Sequence, residues 1–244
     1  MAVEDNVRPL PKREGLRRGI YLLPNLITTG ALFAGFYSII AAMSEDLELA
    51  AIAIVIAGFL DALDGRIARL TNTQSEFGVQ YDSLSDLVAF GVAPAVLMFS
   101  WILSDLGKVG WLVAFLYMAC AALRLARFNT APDAKVFYGL ASPAAAGTLA
   151  TTVWTWSDNM GQAVGLEFAV PLAIVTSLIA LLMVSNVRYY SPKHIDLNGR
   201  VPFFYMFVIV VLFGVVTVYP PGMLLLIGIV YTVSGPLTLL IRRK

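Results

Sequence analysis

Charge is what this sequence has least of. Only 14% of its 244 residues are Asp, Glu, Lys or Arg, against 59% hydrophobic residues, a balance that excludes a soluble globule. The 17 basic and 16 acidic residues nearly cancel, so no basic stripe is available for a nucleic acid to follow. His194 and Cys120 are the sole residues of their kinds, which excludes an intrachain disulfide and a His or Cys metal cluster. His194 lies in the polar run Ser191-Pro192-Lys193-His194 and reads as an exposed loop histidine, and Cys120 lies in an apolar run and reads as a buried, inert thiol. Internal repeats and domain-dividing linkers are lacking too, so one membrane domain is expected over residues 21–244 after a polar segment 1–20.

Long apolar runs are what the chain has in abundance. A span needs about 20 apolar residues, and eight candidates occur at 21–43, 47–65, 81–104, 109–128, 143–157, 168–187, 202–219 and 222–241. The expected fold is therefore all-α, a polytopic membrane helix bundle of about eight transmembrane helices. Residues 1–20 do not read as a cleavable signal, so the first span is expected to act as its own insertion signal, with Leu16 to Ile20 along the bilayer surface. Arg8, Lys12, Arg13, Arg17 and Arg18 precede that span and place the N-terminus in the cytoplasm. Eight spans then put Arg66, Arg69, Arg124, Arg127, Arg188 and the C-terminal Arg242, Arg243 and Lys244 on the same side. Only Lys108 falls opposite, where the turns carry Glu45, Asp46, Glu48, Asp105, Asp158 and Glu167. Tyr189, Tyr190 and Tyr205 fit an interfacial aromatic belt.

Against this background one stretch stands out, DALDGRIARLTNTQSEFGVQYDSLSD from Asp61 to Asp86. Each carboxylate there has left water at a cost of up to about 3 kcal/mol at mid-membrane. Asp61, Asp64, Gly65 and Ala68 share one helix face, and Gly78, Asp82 and Asp86 share a face of the next helix. If the faces meet, four carboxylates converge beside backbone bared by small residues, a cage for hard divalent cations with room for a phosphate. Four crowded carboxylates repel one another unless cations intervene, and all-oxygen ligands favour Mg2+ or Mn2+ over zinc. Arg69 adds a permanent cation of fork geometry suited to phosphate oxygens. Ser75, in the loop between the two helices, reads either as a phosphate contact or as an ordinary loop residue.

Two further polar groups lie at helix ends. Pro24, Asn25 and Thr28 open the first span, Pro24 suiting a first helical turn and Asn25 with Thr28 giving a polar face. Arg124 and Arg127 share a face at the end of the fourth span; they either snorkel to lipid phosphate or point inward to hold an anionic group. An ion or proton transporter would also use aspartates inside a membrane, but no Gly- or Pro-interrupted helix pair recurs in two halves.

The acidic stretch reads D-x-x-D-G-x-x-A-R, then eight residues, then G-x-x-x-D-x-x-x-D. It resembles the signature of the CDP-alcohol phosphotransferase family at every fixed position. The resemblance implies that Asp61, Asp64 and Asp82 hold Mg2+ or Mn2+, and that Asp86, bordering the metals, is the general base. It implies a CDP-diacylglycerol donor whose cytidine end lies near Gly65, Ala68, Arg69 and Gly78, with Asn25 and Thr28 at its border. A homodimer in the lipid bilayer is implied as well. Residues 123–129, LRLARFN, with the later Gly139 to Ala146, are similar to the branch of the family whose acceptor is L-serine and whose product is phosphatidylserine. That similarity makes Arg124, Arg127, Asn129 and Ser142 candidates for the diphosphate or the acceptor carboxylate. The branch usually has Pro where this chain has Ala141. Glycerol 3-phosphate or an inositol phosphate is the alternative acceptor, and either would call for more basic residues at the site.

Overall fold

The computed structural model describes residues 14–71, 73, 75–130, 138–161, 164–189, 211 and 214–242, all helical apart from turns, short connectors and one isolated antiparallel bridge between Tyr138 and Arg188. The helices are α1 (Glu14–Met43), α2 (Leu47–Thr71), α3 (Glu76–Asp86), α4 (Ala93–Trp101), α5 (Lys108–Thr130), α6 (Ser142–Met160), α7 (Ala169–Val184) and α8 (Pro220–Arg242). A π-helical segment, Leu87–Val92, joins α3 and α4 into one rod.

Helix boundaries follow local chemistry. Asp46 accepts the Leu49 N–H at 3.3 Å to start α2, and the Ser75 hydroxyl accepts the Gly78 N–H at 3.0 Å to cap α3. Pro143 enters α6 near its first position, where no amide hydrogen is needed. Gly161 ends that helix at φ +78°, a left-handed conformation that glycine adopts without strain.

Small residues let the helices approach. α2 buries Ala50, Ala51, Ala53 and Ala57, and α6, one of its neighbours, buries Ala145, Ala146 and Ala150. Gly35 of α1 lets the π segment approach: a Cβ there would stand 2.7 Å from the Ala89 Cα. Large apolar side chains point outward instead, among them Phe33, Phe36, Trp111, Phe115, Ile174, Leu178, Leu226 and Val230. In water such a surface would be an aggregation hazard; in a bilayer it meets its own solvent. The chain is an integral membrane protein.

Among the described residues, five helical stretches are long and apolar enough to cross a membrane: Leu22–Met43, Glu76–Trp101, Lys108–Thr130, Leu166–Val184 and Pro220–Thr238. α2 is not among them because Glu48, Asp61, Asp64, Arg66 and Arg69 interrupt it, nor is the Thr-rich α6. The expected span at 202–219 lies largely outside the described residues, as do Lys193, His194, Tyr190 and Tyr205.

Other expectations change in detail. Pro24 is inside α1 rather than in its first turn, because the helix already begins at Glu14. α2 continues to Thr71, so its polar last turns are helical and keep their face. Tyr189 is buried, not interfacial; its hydroxyl donates to the Thr232 carbonyl at 3.0 Å and its ring packs on Tyr231. Cys120 is buried and free, as its apolar setting requires.

Candidate active site

α2 carries Asp61 and Asp64 one turn apart, and α3 carries Asp82 and Asp86 one turn apart. Because α1 packs on both helices, the two acidic stripes are brought together against its N-terminal half. Asp61, Asp64 and Asp82 each offer a carboxylate oxygen within 4.8 Å of the others. Opposite ligands around a Mg2+ ion stand about 4.2 Å apart, so small side-chain adjustments would close this set on one ion. Every donor is a carboxylate oxygen, which fits a hard divalent cation. Asp86, one turn beyond Asp82 on α3, lines the same cleft as these three.

Asp64 is the buried member, 4% exposed. Its Oδ2 accepts the Thr28 hydroxyl at 2.7 Å, so the polar face of α1 serves the cluster directly. The same hydroxyl lies 3.1 Å from the Pro24 carbonyl of its own helix. Thr28 is tied to α3 as well, since its backbone carbonyl accepts Ser85 Oγ at 3.2 Å. A hydroxyl pair at 2.9 Å between Thr29 and Tyr81 fastens the same two helices nearer the surface.

The carboxylates line a cleft of about 550 Å3. Asn25, Thr28, Gly65, Ala68, Arg69, Ser75 and Gly78 line it too, so all the residues expected near a nucleotide border one space. Gly78 keeps that space open, because a Cβ would come within 3.1 Å of Ser75 Oγ and 3.4 Å of Asn25 Oδ1. At Gly65 the nearest atom to an added Cβ is Arg69 Nη2 at 3.9 Å, so no protein neighbour demands glycine there and the room is left to the cleft. Arg69 bends back along α2, its Nε donating to the Gly65 carbonyl at 2.9 Å. Ser75 Oγ accepts the Gly78 N–H of the α3 cap, which leaves its hydroxyl hydrogen able to donate into the cleft.

The residues expected around the acceptor divide. Arg124 lines the cleft, and its Nη1 donates to the buried Ser142 Oγ at 2.9 Å. Arg127 instead donates to Asn186 Oδ1 at 2.9 Å and lies over the Tyr138 ring. Asn129 pairs with Ser83 of α3 at 3.0 Å. Sequence reasoning did not single out Ala62, Thr73, Val79, Leu125, Phe128, Ala141 and Pro143 as site residues, and these line the cleft too. Most of these are apolar residues in apolar surroundings and carry no local signal. Asn186, beside the end of α7, was legible only as a polar residue at a helix terminus.

The cleft is bordered by the middle of α1, the last turns of α2, the length of α3, the end of α5 and the start of α6. Arg66, Arg69, Arg124, Arg127 and Arg188 belong to the cleft's end of the bundle, while Glu45, Asp46, Asp105, Asp158 and Glu167 belong to the other.

An all-helical membrane bundle with an acidic cleft of about 550 Å3 at one end fits a class of protein, the membrane enzymes that act on a lipid-linked phosphate. The family model for CDP-alcohol phosphatidyltransferase matches residues 21–234, and the chain belongs to that family. It is 37% identical to the CDP-diacylglycerol–serine O-phosphatidyltransferase of Helicobacter pylori over 202 residues, 80% of each chain. Proteins of the same name are similar in Bacillus subtilis, at 33% identity over 70% of this chain and 92% of the relative, and in Methanocaldococcus jannaschii, at 34% over 75% and 80%.

Proposed function

We propose that the chain transfers the phosphatidyl group of CDP-diacylglycerol to the hydroxyl of L-serine, giving phosphatidylserine and CMP. The observation that carries this reading is the meeting of the α2 and α3 carboxylates in one cleft, in a chain whose relatives bear that activity in their names. Asp61, Asp64 and Asp82 would hold Mg2+ or Mn2+, with Asp86 beside them. When bound, the cation neutralises the diphosphate and the charge that develops at phosphorus.

The chain's own residues do the rest. Asp86 takes the proton of the serine hydroxyl as its oxygen forms a bond to the phosphorus bearing diacylglycerol. The bond from that phosphorus to the bridging oxygen breaks, and CMP leaves with the oxygen. Gly78 leaves space for the nucleotide beside Asn25 and Ser75, and Arg69 flanks it. Arg124, steadied by Ser142, is aimed at an anionic group of the substrates, the serine carboxylate by our assignment. Arg127 and Asn129 support the walls of the site through Asn186, Tyr138 and Ser83. The basic end of the bundle supports a cytoplasmic orientation of the cleft.

The test is an acceptor screen. Purified protein given CDP-diacylglycerol and Mn2+ should release CMP with serine, and should stop when the metal is chelated. Release of CMP only with glycerol 3-phosphate or an inositol phosphate would overturn the serine assignment.

A further inference from the structure

The rod that carries Asp82 and Asp86 is not one regular helix. Through Leu87–Val92 its turns widen, and the Ala93 N–H reaches back five residues to the Val88 carbonyl. A turn of this kind admits one extra residue, so α3 is rotated roughly 100° from where a straight continuation of α4 would carry it.

The two halves of the rod are held very differently. α4 buries Ala93, Pro94, Ala95, Leu97, Met98 and Trp101, whereas α3 buries Ser85 alone. Core packing therefore fixes the rotation of α4, and the widened turn decides which way the α3 carboxylates face. Pro94, four residues on, has no N–H to offer the Phe90 carbonyl, and leaving that carbonyl unpaired is unfavourable in an apolar interior. Tyr117 of α5, fully buried, meets this need: its hydroxyl donates to the Phe90 carbonyl at 3.2 Å.

We propose that Tyr117 is a positioning residue for the reaction: its hydroxyl on the Phe90 carbonyl holds the Leu87–Val92 turn open and so aims Asp82 and Asp86 at the carboxylates of α2. This role rests on reading the carboxylate cluster as a metal site, and Tyr117 itself touches neither metal nor substrate.

Mn2+ alone, titrated onto the full-length chain in detergent and followed by the electron paramagnetic resonance of the free ion, tests it without turnover. Tyr117→Phe should raise the Mn2+ Kd by about tenfold, as losing an outer support of a metal site does. A purely structural hydroxyl would lower the unfolding temperature and leave the affinity of the folded chain at its parent value, and that result overturns the proposal. Deletion of Val88, which returns the rod to ordinary helical register, should abolish Mn2+ binding while the α4 core stays folded. It decides the matter if Tyr117→Phe does not fold, and a deletion variant with parental affinity again overturns the proposal. A parent chain that takes up no Mn2+, or an Asp61→Asn chain that binds it unchanged, refutes the metal site itself and the role of Tyr117 with it.

Discussion

At the scale of single residues, the four aspartates divide the work by their neighbours. Asp61, Asp64 and Asp82 share the short oxygen distances, so Asp61→Asn should remove metal-dependent nucleotide binding, measured by titration of CDP in the presence and absence of Mn2+. Asp86 borders that set. Asp86→Asn should leave CDP binding near its parent value while CMP release falls by about 10²- to 10⁴-fold, the usual contribution of a general base. Full synthase activity in both variants would refute these roles. Gly78→Ala is a steric counterpart: its Cβ would press on Ser75 Oγ and Asn25 Oδ1, and the KM for CDP-diacylglycerol should rise about tenfold with less effect on kcat. The aspartate stripes were legible in the sequence because their spacing repeats the helical period. The Thr28 bond to Asp64 was not, since it joins residues 36 apart.

At the scale of elements, two contacts carry separable consequences. Gly35 lies so close to Ala89 that Gly35→Ala must push α1 from the π segment; a loss of about 1 to 3 kcal/mol is expected, read as a lower unfolding temperature in detergent. Ser142 starts α6 and accepts from Arg124 of α5, so Ser142→Ala removes that one hydrogen bond from Nη1 without emptying the core. The KM for serine should rise about tenfold, the size of one lost hydrogen bond to a charged group, while the unfolding temperature changes little. Neither contact could be read from the chain alone. The helices themselves could, and Pro94 within the apolar run marks a disturbed helix near residue 90, but the direction in which α3 is turned did not follow from it.

At the scale of the whole molecule, the alternation of helix directions gathers the arginines at one end and most of the exposed turn carboxylates at the other. With Cys120 buried, a single added thiol reports on sidedness. Thr71→Cys should react with a membrane-impermeant maleimide only from the cytoplasmic face, and Asp158→Cys only from the opposite face. The reverse pattern would invert the proposed orientation. Composition and periodicity alone determined that this chain lives in a membrane, is built of helices, and concentrates acidic groups on two neighbouring faces, since these follow from solvent preference and the 3.6-residue repeat. Which faces meet, that Arg124 enters the cleft while Arg127 turns to Asn186, and how far α3 is rotated were settled only by tertiary packing. Those outcomes depend on contacts between residues far apart in the chain, chosen by the fit of small side chains across helix interfaces.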